Sequence, residues 1–148
     1  MKRYYIAYGS NLSEEQMARR CPTATIVGTS ILKGWRLLFN GPASIEKKCG
    51  YQVPVLIWEL QPEDEKALDR YEGYPSYYRK EMLEVKVKDQ TLDAMVYIMN
   101  TNKEAQPGEY YYNVLDKGYI RFGFDRKILR KALREAYDYD GGGKNRWI

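Results

Sequence analysis

Histidine is absent from all 148 residues. That removes Ser-His-Asp and Cys-His nucleophilic catalysis and the HExxH kind of metal centre. Acid–base work falls to Asp, Glu, Tyr, Lys or Cys. Cysteine is scarce: Cys21 and Cys49 form no CxxC pair, and without histidine no mixed zinc site can be completed. Long apolar runs are also missing, and none approaches the length of a transmembrane helix. The first residues, Met1 to Ile6, lead into a strand-like run without the apolar segment of a signal peptide. A reduced, cytoplasmic protein with no membrane partner is expected. Concentrated charge is lacking too. The net charge is +4, and Lys and Arg alternate with Asp and Glu along most of the chain, which describes a solvated surface. A nucleic-acid-binding module that uses Tyr for stacking and Lys/Arg for phosphate is the rival from another class. The scattered charge, with no RNP-like or helix-turn-helix pattern, argues against it.

Tyrosine is abundant, with 15 in the chain. A large apolar ring with a polar tip suits a wet pocket or an interface. Tyr4 to Tyr8 reads as a short strand ended by Gly9-Ser10-Asn11. Ser13 with Gln16 fits a capping box for a helix running to about Arg20, with Pro22 beyond. Strands are expected over 25–32, 35–40 and 53–60, with 41–50 a loop or irregular edge. Pro62 at a first helical position, followed by Glu63, Asp64 and Glu65, opens a short helix that Gly73 and Pro75 stop. Leu83, Val85 and Val87 alternate with charges, as on a half-exposed strand, and 92–99 is apolar on both faces and central. Two helices follow: Tyr111, Val114, Leu115 and Gly118 share a face of the first, and Asp125 caps the second. The pattern predicts one α+β domain over 1–140 with a mixed or antiparallel sheet, and a flexible tail over 141–148. Six or so strands could close into a barrel.

Two segments carry candidate chemistry. Tyr8-Gly9-Ser10-Asn11-Leu12 joins a strand to a helix, and such a turn exposes backbone N–H groups that favour anions. The same turn serves equally as a plain connection to a capped helix. Leu68-Asp69-Arg70-Tyr71-Glu72-Gly73-Tyr74-Pro75 ends a short helix on one carboxylate within an aromatic cluster. A helix C-terminus disfavours a carboxylate, and rings around it raise its pKa. An ordinary surface glutamate is the alternative.

Together these segments resemble the γ-glutamylcyclotransferase family. The Tyr8 to Leu12 string is similar to that family's substrate-binding loop, and Leu68 to Gly73 to the segment holding its single catalytic glutamate. Tyr97-Ile98-Met99-Asn100, Pro107 and Tyr110-Tyr111-Tyr112 resemble its last strand and tyrosine-bearing loop. The resemblance spans the chain to about Leu133. It implies a small mixed barrel, closed or nearly closed and flanked by short helices, with no cofactor and no metal. It assigns acid–base catalysis to Glu72, and substrate binding to Tyr8, Gly9, Ser10, Asn11, Leu12 and, from the three consecutive tyrosines, Tyr111. The implied partner is a small γ-glutamyl compound, not nucleic acid. Its α-amine attacks the γ-glutamyl amide and releases 5-oxoproline and a free amine or amino acid. Removal of a γ-glutamyl group from a specialised amine or biosynthetic intermediate is the alternative. Relatives specific for glutathione look like YGSL at the loop, and those acting on γ-glutamyl-lysine look like YGT. Asn11 after Ser10 resembles neither.

Overall fold

The computed structural model describes residues 2–139. The expected tail over 141–148 lies outside them. The elements are β1 (Arg3–Ala7), a 3-10 turn (Ser10–Leu12), α1 (Glu14–Arg20), β2 (Thr25–Phe39), β3 (Ala43–Leu60), α2 (Pro62–Glu72), β4 (Tyr78–Val87), β5 (Gln90–Met99), α3 (Glu109–Phe122) and α4 (Arg126–Tyr139).

The helix ends follow local chemistry. Ser13 Oγ accepts from the Gln16 amide, so α1 has its cap, but Gln16 Oε1 accepts from Arg20 and no bond returns to close the box. At the start of α2 the Asp64 carboxylate accepts from the Gln61 amide at 2.9 Å, and the Asp64 amide donates to the Gln61 backbone carbonyl, with Pro62 at the first position. The helix stops at Gly73, whose φ of 65° lies in the left-handed region that glycine enters without penalty. Asp125 Oδ1 accepts from the Lys127 amide at the start of α4.

The five strands form one sheet in the order β2-β3-β1-β5-β4. The β1–β5 pair is parallel and the others are antiparallel. The expectation of a closed or nearly closed barrel is corrected: β2 and β4 are unpaired edges, and the sheet is open. One side-chain bond crosses between the edges, from Ser30 Oγ to the Lys86 carbonyl, but no strand ladder does. The strand count explains the difference. The segments 25–32 and 35–40 are one strand, in which Gly34 sits at a register shift between Lys33 and Trp35. A glycine there marks a bulge, and the strand continues through it. The segment 41–50 is largely strand as well, with Ala43 opposite Phe39 and Ile45 opposite Leu37.

The core fills both sides of β1 and the second half of β3, where Ile6, Leu56, Ile57 and Leu60 are fully buried. Each such side chain contributes roughly 1.5–3 kcal/mol when removed from water. Helix α3 packs on the 3-10 turn, and Gly118 permits the approach: a Cβ there would stand 2.6 Å from Leu12 Cβ. Helix α4 buries Leu129, Ala132 and Ala136. It is pinned to β2 by the buried Arg36, whose guanidinium reaches Glu135 at 3.2 Å, Glu46 at 2.6 Å and Glu104 at 2.6 Å. No helix among the described residues is long and apolar enough to cross a membrane. Cys21 is buried, Cys49 is exposed, and both are free thiols.

Candidate active site

A cavity of about 610 Å³ opens where β1 ends, and seven of its lining residues are tyrosines. The turn after β1 supplies Gly9, Ser10 and Asn11, and the end of α2 supplies Tyr71 and Glu72. A 3-10 turn leaves its first amides without partners inside the turn. Glu72 is the last residue of α2, set there by the left-handed Gly73. Its half-buried carboxylate makes no hydrogen bond to the described residues. Burial pushes the carboxyl up to about 7, against the opposing pull of the positive charge on Arg20. A carboxyl at that value holds and releases a proton with equal ease near neutrality.

The tyrosine walls are fixed by hydrogen bonds. Tyr8 donates to the Tyr97 carbonyl at 2.6 Å, and Tyr97 donates to Asp69 Oδ1 at 2.6 Å. Asp69 is held in turn by Lys80. The Ala43 peptide is clamped from two sides: Tyr78 donates to its carbonyl at 3.0 Å, and its amide donates to Tyr111 Oη at 3.0 Å. Tyr111 lies against the turn, since a Cβ built on Gly9 would stand 3.2 Å from its hydroxyl oxygen. Burial raises the pKa of Tyr5, Tyr8 and Tyr111 above the usual tyrosine value, so these hydroxyls stay neutral. Among the described residues no group of three or more His, Cys, Asp or Glu is arranged to hold a metal ion.

Tyr8, Gly9, Ser10, Asn11, Glu72 and Tyr111 therefore share one cavity. Leu12 does not join them: it is buried beneath Gly118, away from the lining. The three consecutive tyrosines separate clearly. Tyr110 is 76% exposed, Tyr112 packs against Phe39 with ring centroids 6.1 Å apart, and Tyr111 faces the cavity. Sequence reasoning missed Tyr5, Arg20 and the Pro42-Ala43 edge. Alternation along a strand places residues three apart on opposite faces, so the pattern separates Tyr5 from Tyr8. The turn at the end of β1 brings both to the lining. Arg20 gave no signal beyond that of a basic residue at a helix end.

The family model "Gamma-glutamyl cyclotransferase, AIG2-like" matches residues 5–117. The chain belongs to this family. It is similar to the human protein named gamma-glutamylcyclotransferase, at 28% identity over 93% of this chain and 81% of that protein. The bovine protein of the same name is 26% identical over 93% of this chain and 81% of its own length. A solved structure named gamma-glutamyl cyclotransferase superposes with a TM-score of 0.79 at 22% identity, covering 89% of this chain and 86% of that one. This last likeness establishes the family fold, an open α+β sheet with flanking helices in this chain. The family match runs from Tyr5 through Lys117 and so takes in the turn, Glu72 and Tyr111.

Proposed function

We propose that this family member converts a γ-glutamyl compound to 5-oxoproline and a free amine or amino acid, with Glu72 carrying the protons. The observation that carries the reading is Glu72 itself: a carboxyl pushed up to about 7 by burial, in the same cavity as the turn after β1. The substrate brings its own nucleophile. Its α-amine attacks the γ-carbonyl carbon, the ring C–N bond forms, and the amide C–N bond breaks. Glu72 takes a proton from the attacking amine and returns it to the departing nitrogen, so one carboxylate serves both steps. The first amides of the turn face the oxygen on which charge develops. Folding the substrate so that amine and carbonyl meet supplies much of the rate, as intramolecular attack does generally. Tyrosine rings limit the access of water, which would otherwise yield glutamate.

The test is product analysis. Purified protein incubated with a panel of γ-glutamyl-amino acids and γ-glutamyl-amines should release 5-oxoproline from at least one of them. Release of glutamate in its place would identify a hydrolase and end the ring-closure mechanism.

A further inference from the structure

Hydrogen-bond polarity can be followed atom by atom behind the turn. Arg20 Nη1 lies 2.5 Å from Asn11 Oδ1. A guanidinium has donors and no acceptor, so the amide face turned to Arg20 must be its oxygen. The amide orientation is thereby fixed, and Asn11 Nδ2 donates to the Tyr5 hydroxyl at 2.9 Å. Asn11 is 2% exposed and Tyr5 4%. Tyr5 accepts in its one hydrogen bond among the described residues, so its own hydrogen is uncommitted. The neighbouring walls differ: Tyr8, Tyr78 and Tyr97 each donate their hydroxyl hydrogen to a protein oxygen. A buried hydroxyl left without an acceptor loses a hydrogen bond that water would have provided, and Tyr5 lines the cavity.

We propose that Arg20 and Asn11 fix the polarity of Tyr5 so that its hydroxyl donates into the cavity, to the α-carboxylate of the γ-glutamyl head group. The inference rests on the γ-glutamyl reading of the site. The carboxylate is the part of the head group with a full negative charge before reaction, and the relay begins at a cation. The α-carbon bears both that carboxylate and the attacking amine. The donor for one must therefore lie near the base for the other, and Tyr5 and Glu72 line the same cavity. Arg20 itself is engaged elsewhere, donating also to Gln16 Oε1 at 2.7 Å and stacking 3.6 Å from the centroid of the Tyr71 ring. It acts through Asn11 and is a positioning residue. The turn amides and Tyr111, beside Gly9, are left for the γ-carbonyl oxygen.

The test pairs each protein with ligands that do or do not carry the carboxylate. γ-Glutamyl-L-alanine is compared with 4-aminobutyryl-L-alanine in turnover, and 5-oxoproline with 2-pyrrolidinone in calorimetric binding. Wild type should favour the carboxylate-bearing member of each pair. Tyr5→Phe removes the donor. Asn11→Asp keeps the shape and the bond to Arg20 but turns the remaining atom into an acceptor, so Tyr5 donates to it and away from the cavity. Both variants should lose roughly 10–100-fold on the carboxylate-bearing ligands, the range for a hydrogen bond to a charged group, and change little on the others. An equal loss on both members of a pair, or an unchanged preference, overturns the relay. If wild type forms neither lactam but prefers 5-oxoproline in binding, and the variants lose that preference, the relay stands and the proposed reaction falls. If wild type shows no preference in either assay, the relay falls whatever is turned over.

Discussion

Replacing Glu72 by glutamine separates the chemistry from the fold. Glutamine keeps the shape and can still hydrogen-bond, but it cannot take a proton from an α-ammonium group whose usual pKa is near 8. Turnover should fall by roughly two to four orders of magnitude, the range for losing a positioned acid–base group. Stability should move the other way. The carboxyl rises from its ordinary 4.5 to about 7 on folding, so the ionised form is disfavoured in the folded state. The penalty is absent below pH 4.5, where both states are protonated, grows between 4.5 and 7, and is complete above 7. At 1.36 kcal/mol per unit the full rise corresponds to ~3 kcal/mol. The side chain is only half-buried, and solvent screening reduces the expected effect to roughly 1–2 kcal/mol. Glu72→Gln should therefore raise the melting temperature at pH 8 by about 2–8 °C and leave it nearly level at pH 4.5. The assays are 5-oxoproline release and thermal melting, on both proteins at both pH values. Turnover within about threefold of wild type would be too small a loss for a positioned acid–base group and would remove Glu72 from the mechanism. Melting that collapses together with activity would make it a structural residue.

The wild-type kcat/KM should rise with pH through about 7, as the carboxylate that accepts the proton forms, and a profile flat from pH 6 to 8 would contradict this. Arg36→Met should destabilise the fold by roughly 3–5 kcal/mol in urea unfolding, because it strands three carboxylates that Arg36 now pairs; a loss under about 1 kcal/mol would show that those charges find solvent instead. Gly118→Ala places a methyl 2.6 Å from Leu12 Cβ and should destabilise by about 1–3 kcal/mol through overpacking, with 5-oxoproline release impaired as the turn shifts. Activity should survive dialysis against a chelator, because the proposed steps run on carboxylate, amides and hydroxyls; loss restored by added metal would reject that mechanism.

Where a single residue type dictates a local conformation, the sequence was readable. Ser13, Pro62, Gly73 and Asp125 each mark a helix end by a mechanism confined to a few neighbours. The hairpin of β2 and β3 depends on distant partners, and there the reading failed. β1 has five residues and pairs with β3 only from Leu56 to Leu60. The first half of β3 is bonded on one side alone, to β2. A strand projecting in this way tolerates Lys47, Lys48 and Gly50 on exposed positions, a composition that locally describes a loop. The expected break between 25–32 and 35–40 has the same origin: Gly34 lies there at a register shift, and a bulge and a strand end look alike until the partner strand is known. Two strands were thus counted where β2 is one, and the surplus suggested a closure that an open five-stranded sheet does not make.

The site divides along the same line. Gly9, Ser10, Asn11 and Glu72 sit where a strand or a helix stops, and breaks in pattern are visible in one dimension. Tyr5 and Arg20 sit inside regular elements, so nothing local distinguishes them from residues that pack a sheet or end a helix. Their significance lies in direction, not in position. Asn11 could point its amide either way, and only the guanidinium nine residues later decides which atom meets Tyr5. Asparagine at position 11 can therefore be read in two ways: as a turn residue, which the sequence alone suggests, and as the link that sends a donor into the cavity, which needs Arg20 in view. On the proposed reading the residue after Ser10 bears on how the site holds an anion, because the Asn11 amide donates to the buried Tyr5 hydroxyl.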